Sequence, residues 1–314
     1  MSLPVSAVIL SHNRRERLAR VLDEIERLGV VDDVLVADSS TDGSGDLAAA
    51  RGERVRLLRV GDIGAAGRNV AAAEARNELV LMLDDDSYPT PGAIDRLVAA
   101  HAANDRLGVA TGLVRDVDDH GSTLQSTELG SFDWWLRRGR TGAPPEGFET
   151  FFFAEGGCMV RRTPFLAAGG FFAPYFFTLS EIDVTMRLAA AGWETRYFPD
   201  AVIDHLRPLA NKTPSANTLR LRTRNEQWHF WLRYPPRMAI PRMLFYGAFD
   251  LLEAIYRGHP EAWWDGVREA WSLRSQVLPH RHVLPAEVLR RVEDGRAGMH
   301  LALLWGQTRR RLGR

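Results

Sequence analysis

The chain has 314 residues, with 40 basic and 40 acidic side chains and a formal net charge of zero. That balance excludes a global attraction to nucleic acid, and 45% apolar with 25% charged residues fits a globular chain of one large domain or a domain plus an extension. Cys158 is the only cysteine, which excludes a disulfide framework and a cysteine-based metal cluster and points to a reducing, cytoplasmic setting.

The opening stretch MSLPVSAVILSHNRRERL does not follow the pattern of a signal peptide, because its apolar run is short and its basic residues come after it. Val5–Leu10 reads as a buried strand, and Leu18, Val21, Leu22, Ile25 and Leu28 follow at helical spacing. Asn13 and Glu16 stand where a capping box would start that helix. Val34–Ala37 and Val55–Val60 read as further strands, Ala65–Ala75 as a helix, Leu79–Leu83 as a strongly apolar fourth strand and Pro91–Ala103 as another helix. Alternating strands and helices with short connections predict an α/β fold with a mostly parallel sheet covered on both faces.

From about Arg115 to Phe153 the pattern is irregular, with Trp134, Trp135, Pro144 and Pro145. Cys158–Val160 then reads as a strand, Pro164–Ala168 as a short helix and Ile182–Ala191 as a helix closed by Gly192. Thr195–Phe198 and Ala201–Ile203 read as two short strands. A boundary near residue 215 separates this region from a helical, Trp-rich remainder, 216–314. No uncharged apolar stretch reaches 18 residues, so no membrane-spanning helix is expected. The nearest approach, Met238 to Tyr256, is broken by Arg242, Asp250 and Glu253.

The most informative segment is Leu83-Asp84-Asp85-Asp86, where an apolar strand ends in three carboxylates. Ligands of open α/β sheets bind beyond the carboxyl ends of the strands. If the strand alternation continues, Asp84 and Asp86 share a face and Asp85 takes the other. Converging carboxylates need a cation or a proton between them, and a hard divalent ion with phosphate ligands suits such a place. The plain alternative is a helix cap or a solvated strand end. A phosphatase with an aspartate nucleophile is a further rival, but its motif belongs on the first strand. Ser11-His12-Asn13-Arg14, Asp38-Ser39-Ser40-Thr41-Asp42-Gly43 and Gly64-Ala65-Ala66-Gly67-Arg68 supply ligand-competent residues after the other strands. Each is weak alone; their recurrence at one sheet edge is the signal.

In order, VSAVILSHNRRERL, VLVADSSTDGS, GAAGRN, LMLDDD and GGCMVRRTPFLAAGGFFAPYFFTLSEIDVTMRLAAAGW, ending near YFPDAVIDH, resemble the stretches of GT-A glycosyltransferases of family 2, in their bacterial, inverting, rhamnosyltransferase-like form. The resemblance spans roughly residues 4 to 230. It implies a Rossmann-like GT-A domain over 1–215, with a nucleotide-sugar half to about 115 and an acceptor half after it. By the same resemblance, Ser11, Asn13 and Asp38 line the nucleoside pocket, Arg68 meets the nucleotide or the sugar, and Asp84 and Asp85 belong to the nucleotide-sugar site. Asp86 would be the direct ligand of Mg²⁺ or Mn²⁺, with His205 completing the metal site, and Gly156 and Gly157 would leave room beside the sugar. Arg207 and Lys212 sit in a loop that could close on the diphosphate. The catalytic base falls on Glu181, with Asp183 as the alternate. The family's Glu-Asp-x-Asp reads Ser180-Glu181-Ile182-Asp183 here, a departure at the first position.

The reaction so implied is transfer of a single sugar, with inversion, from a nucleoside-diphosphate-sugar to an acceptor hydroxyl on a glycan, a lipid-linked intermediate or a natural product. Arg224-Asn225-Glu226-Gln227-Trp228 is not the Gln-x-x-Arg-Trp motif of processive synthases. Met243, Leu244, Phe245, Phe249, Leu251 and Leu252 form an apolar patch whose readings are packing on the catalytic domain, a homodimer interface, or peripheral contact with the inner face of a membrane. A sugar nucleotidyltransferase lacks support, since no Gly-rich basic loop follows the first strand. A non-catalytic nucleotide-sugar or glycan binder that kept the pocket is the other class of reading.

Overall fold

The computed structural model describes residues 3–118, 120–127, 144–206 and 215–292. Arg207, Lys212, Trp134, Trp135 and the 309–311 arginines lie outside these residues.

The strands β1 (Val5–Ser11), β2 (Asp33–Asp38), β3 (Val55–Arg59) and β4 (Leu79–Asp84) run parallel in the order β3-β2-β1-β4. Helices α1 (Arg15–Leu28), α2 (Ser44–Ala49) and α3 (Gly67–Glu74) connect them. Alternate residues of β1 feed two cores: Val5, Ala7 and Ile9 pack with Leu18 and Val21 of α1, and Val8 packs with Ala71 and Ala72 of α3. Burial on both faces explains why β1 and β4 read as continuous apolar runs. Helix α1 ends at Gly29, whose φ of 65° lets its amide return to the Ile25 carbonyl.

Its start differs from the expected capping box. Asn13 has a φ of 54°, and its Oδ1 accepts from the Thr41 amide at 2.8 Å. The amide of Arg15 is met instead by Asp42 Oδ2 at 3.1 Å. The helix start is therefore satisfied by the loop after β2, a long-range partner that local spacing does not reveal.

After β5 (Ser87–Pro89) and α4 (Ala93–Ala103), a long strand β6 (Leu107–Val117) fills a stretch that the sequence left unassigned up to Arg115. Then come β7 (Thr123–Thr127), β8 (Phe148–Glu149), β9 (Gly157–Arg161), α5 (Arg162–Ala167), α6 (Ser180–Ala190) and β10 (Glu194–Leu206). The sheet continues β4-β9-β6-β10-β5, with β9 antiparallel to both neighbours and β10 parallel to β6. The two short strands expected near 195–203 are one strand, whose register on β6 shifts between Phe198 and Val202. Pro199 and Asp200 fall in that bulge. Gly112 opposes it, where a Cβ would run into the Ala201 carbonyl.

The helices after residue 215 are α7 (Ala216–Arg233), α8 (Pro236–Tyr256), α9 (Pro260–Ser272) and α10 (Arg274–Val277). Ser215 caps α7, its Oγ accepting from the Thr218 amide. Helix α7 is buried nearly all round. Phe230 and Tyr234 join Ile182 and Met186 of α6, and Trp228 packs with Tyr175. Helix α8 is inverted: Tyr246 and Asp250 are buried, whereas Ile240, Leu244, Phe245, Leu252, Ile255 and Tyr256 are exposed. Among the described residues no helix is long and apolar enough to cross a membrane.

Candidate active site

The register of the parallel strands sets Ser11 beside Asp38, Asp38 beside Arg59 and Leu10 beside Asp84. The four ligand-competent loops therefore meet at one carboxyl edge. A cavity of about 790 Å³ opens there, lined by His12, Arg14, Ser39, Gly64, Arg68, Asp84, Asp85, Asp116, Glu155, Gly156, Glu181 and His205 among others.

The triple aspartate does not alternate as expected. Strand β4 ends at Asp84, and Asp85 and Asp86 lie in the turn before β5. Arg14 Nη1 reaches Asp85 Oδ1 at 3.1 Å and also pairs with Asp86, so these two side chains are drawn together. Asp84 turns instead to Arg68. Asp85 also accepts from the His12 amide at 3.0 Å, and burial lifts it to about 6.

Asp86 is buried and stands behind the cavity lining. Arg17 adds a contact of 3.2 Å to its Oδ2, while its Oδ1 has no hydrogen-bond partner. His205 Nε2 lies 3.4 Å from that oxygen, and His205 Nδ1 is 3.0 Å from Asp116 Oδ1. Burial works against a charged His205, but Asp86 and Asp116 outweigh it and raise its pKa. An orphaned carboxylate oxygen facing an imidazole that a second carboxylate orients is a donor set a divalent ion fits. Among the described residues no group of three His, Cys, Asp or Glu could hold a metal, so further ligands would have to come from a phosphate or water.

Arg68 is buried. It bridges Asp84 and Glu155, the latter at 3.2 Å. Glu181 stands at the first turn of α6 and lines the cavity, and burial lifts its carboxyl to about 7. The backbone before it is left-handed at Phe176, Thr178 and Leu179, with φ of 62°, 64° and 61°. Such conformations cost about 1–3 kcal/mol each in non-glycine residues and need outside support. Asn225 of α7 supplies it, its Nδ2 donating to the carbonyls of Tyr175, Phe177 and Thr178.

Several expected site residues are placed elsewhere. Asp183 is fully buried and absent from the cavity wall, held by Arg187 at 2.8 Å and by Arg233 of α7. Burial pushes its carboxyl up, and the two guanidiniums overcome this and bring it to about 2. It is a structural anion, which removes it as the alternate base. Asp183→Ala should destabilise the fold by about 3–5 kcal/mol, because the buried Arg233 and the largely covered Arg187 lose their counter-charge. Urea unfolding measures this, and a change below about 1 kcal/mol would rule out the structural role. The pair's contribution is present above the ordinary aspartate value and lost as pH falls through about 2.

Asp38 is buried against Arg59 at 2.6 Å, and its neighbour Ser39 takes the place on the wall. Ser11 is buried, its carbonyl accepting from the Ser39 amide, and Asn13 is spent on the Thr41 amide. Gly157 lies inside β9 against Val114, and Gly156 is the glycine at the cavity, where a Cβ would strike the Asp84 carboxylate. Phe152 lines the cavity, while Phe153 packs against Phe171. Burial pushes the Cys158 thiol up, which keeps it inert. Arg14 and Glu155, both on the wall, were not singled out from the sequence.

An open sheet with charged side chains around a cavity at its strand ends is a nucleotide-handling design. The family model of glycosyl transferase family 2 matches residues 6–168. The N-acetylglucosaminyl-diphospho-decaprenol L-rhamnosyltransferase of Mycobacterium tuberculosis is 33% identical over 207 residues, covering 55% of this chain. The match spans 66% of that relative's length. Among solved structures, the mannosyltransferase PcManGT from Pyrobaculum calidifontis, in complex with GDP-Man and Mn²⁺, superposes with a TM-score of 0.54 at 17% identity over 98% of this chain and 88% of its own. TarS from S. aureus, in complex with UDP-GlcNAc, gives a TM-score of 0.55 at 14% identity over 77% and 70%. The fold is that of the GT-A glycosyltransferases. The chain belongs to glycosyl transferase family 2.

Proposed function

We propose that this protein is an inverting, metal-dependent glycosyltransferase that moves one sugar from a nucleoside-diphosphate-sugar to a hydroxyl of a lipid-linked acceptor. The observation that carries the reading is Glu181, a cavity carboxylate with a pKa of about 7, in one cavity with the Asp85–Arg14 and His205 corner. A hydroxyl is a poor nucleophile at neutral pH, and a base poised near 7 can take its proton as it attacks. The acceptor oxygen bonds to the anomeric carbon as that carbon's bond to the diphosphate oxygen breaks. The proton goes to Glu181, and the electron pair leaves with the nucleoside diphosphate. Attack opposite the leaving group inverts the configuration.

Even with Glu155 favouring its protonated form, the acids of the lining (Asp62, Asp84, Asp85, Asp116 and Glu181) outnumber its two guanidiniums, Arg14 and Arg68. A diphosphate would be repelled from such a wall without added positive charge. Asp86 and His205 are the residues that would hold Mg²⁺ or Mn²⁺, which when bound offsets the charge growing on the departing diphosphate. Arg14, half-exposed at the wall, is placed to meet the same charge. A lipid-linked acceptor is favoured by the decaprenol-linked substrate in the relative's name and by the exposed apolar face of α8.

A thermal-shift panel of UDP, GDP, dTDP and CDP, each with Mn²⁺, Mg²⁺ or EDTA, tests this. A nucleotide at a hundredfold excess over its Kd should stabilise the protein by about 2.7 kcal/mol, and only with metal present. No shift with any nucleotide would discard the nucleotide site. Binding without any release of sugar from an intact donor, with or without an acceptor, would favour a binding protein over an enzyme.

A further inference from the structure

The turn between β8 and β9 carries a carboxylate that the proposed reaction leaves unused. Its backbone is pinned at three points. The Ala154 amide donates to Thr111 Oγ1 at 3.2 Å, the Gly157 amide donates to the Ala154 carbonyl at 3.1 Å, and Ser87 Oγ donates to the Gly156 carbonyl at 2.6 Å. Glu155 projects from this fixed turn onto the cavity wall. Its Oε2 is held by Arg68 Nη1 at 3.2 Å, and Arg68 is itself anchored on Asp84. Its Oε1 is shielded from solvent and has no hydrogen-bond partner.

A buried carboxyl oxygen without a partner is costly, and a water, an ion or a ligand group is what can satisfy it. The position narrows the ligand. Arg68 ties Glu155 to Asp84, at the carboxyl edge where the nucleotide is proposed to lie. On the other side the charge of Glu181 is felt at Glu155, so the two acids face one space. Between the leaving diphosphate and the base lies the sugar in transit. We propose that Glu155 is a specificity-determining residue that reads the transferred sugar, its Oε1 making a hydrogen bond to one of that sugar's hydroxyl groups.

A hydroxyl both donates and accepts, so it can meet this carboxyl group whether or not it carries a proton. The groups facing Glu155 are Arg68 on α3, Asp84 on β4, Glu181 on α6 and Cys158 on β9. Burial, followed by the charge of Glu181, favours its protonated form.

The inference rests on the reading of the cavity as a nucleotide-sugar site, and its test separates the two. UDP, GDP and dTDP would be titrated against UDP-GlcNAc, GDP-Man and dTDP-L-rhamnose, with Mn²⁺ and without acceptor. The wild type, Glu155→Ala and Glu155→Gln would be compared by calorimetry. The quantity read is the ratio of the free nucleotide's Kd to that of the matching intact donor. The expected result is a ratio that falls at least tenfold in Glu155→Ala, with the free nucleotide's Kd within about threefold of wild type. Binding of the free nucleotide reports that each variant is folded; Glu155→Gln, which keeps a hydrogen-bonding oxygen, should hold the ratio near the wild-type value, and Glu155→Met, which keeps the length without an oxygen, serves if the alanine variant does not fold. An unchanged ratio, or a wild-type donor that binds no tighter than its nucleotide, overturns the role of Glu155 and leaves the nucleotide site standing. If no nucleotide binds the wild type, the site itself is refuted and this inference with it.

Discussion

Glu181→Gln should lower kcat by about 10²–10⁴-fold while nucleotide affinity stays within about twofold, since amide and carboxyl have the same shape and only proton transfer is lost. The pH dependence follows from the sign of the shift. Burial raises Glu181 to about 7, and a general base works only when ionised. Activity should therefore fall as pH drops through about 7, by about tenfold per unit below it, and the residual rate of Glu181→Gln should lack that limb. Nucleoside diphosphate release measured from pH 5 to 9 in both proteins decides the matter. A variant that keeps the acidic limb, or more than about a tenth of the rate, would place the base elsewhere.

Asp86→Ala should abolish the metal-dependent part of nucleotide binding and reduce transfer by about 10²-fold or more, the usual scale for removing a group that stabilises developing charge. Three cationic or proton-bearing groups converge on this side chain: Arg14, Arg17 and His205. Its loss would also leave them unbalanced, so a loss of activity alone is ambiguous. The discriminating measurement is nucleotide affinity with Mn²⁺ and with EDTA. In the wild type the two should differ strongly. In Asp86→Ala, and in His205→Ala as a milder variant, they should coincide. If the wild type binds equally well in EDTA, metal dependence is refuted.

Much of the nucleotide side was legible because it is local. Four apolar strands ended in polar turns, and parallel pairing obliges such turns to meet at one edge. What local pattern misses is where each carboxylate is spent. Asp38 and Asp183 read as site residues, yet Arg59 claims one, and Arg187 with Arg233 claim the other. Arg233 lies 50 residues beyond Asp183, a separation that no spacing rule covers. Glu155 escaped notice for the opposite reason. It sits outside any strand or helix, and only the folding of Arg68 and Glu181 around it gives it meaning. Strand β6 was missed where Gly108 and Gly112 interrupt its apolar run, although Gly112 is there to admit the bulge of β10. Helix α7 carries Arg224, Asn225, Glu226 and Gln227 in its interior and is buried despite them; Arg224 and Asn225 answer the Tyr175 carbonyl of the catalytic part, and Arg224 also pairs with Glu269 of α9.

That last arrangement bears on how the protein can be divided or recombined. One amide group, on Asn225, holds three carbonyls of a short backbone segment that would otherwise relax, and that segment presents Glu181, the proposed base. The same segment reaches the nucleotide side, since the Ala65 amide donates to the Phe176 carbonyl at 2.8 Å. A catalytic module cut at residue 215 would keep every residue named for binding and chemistry and lose the splint that aligns them. Grafting a foreign tail onto this sheet to change the acceptor would meet the same obstacle unless the graft brought an asparagine to that point. The portable unit for engineering is the sheet together with α7.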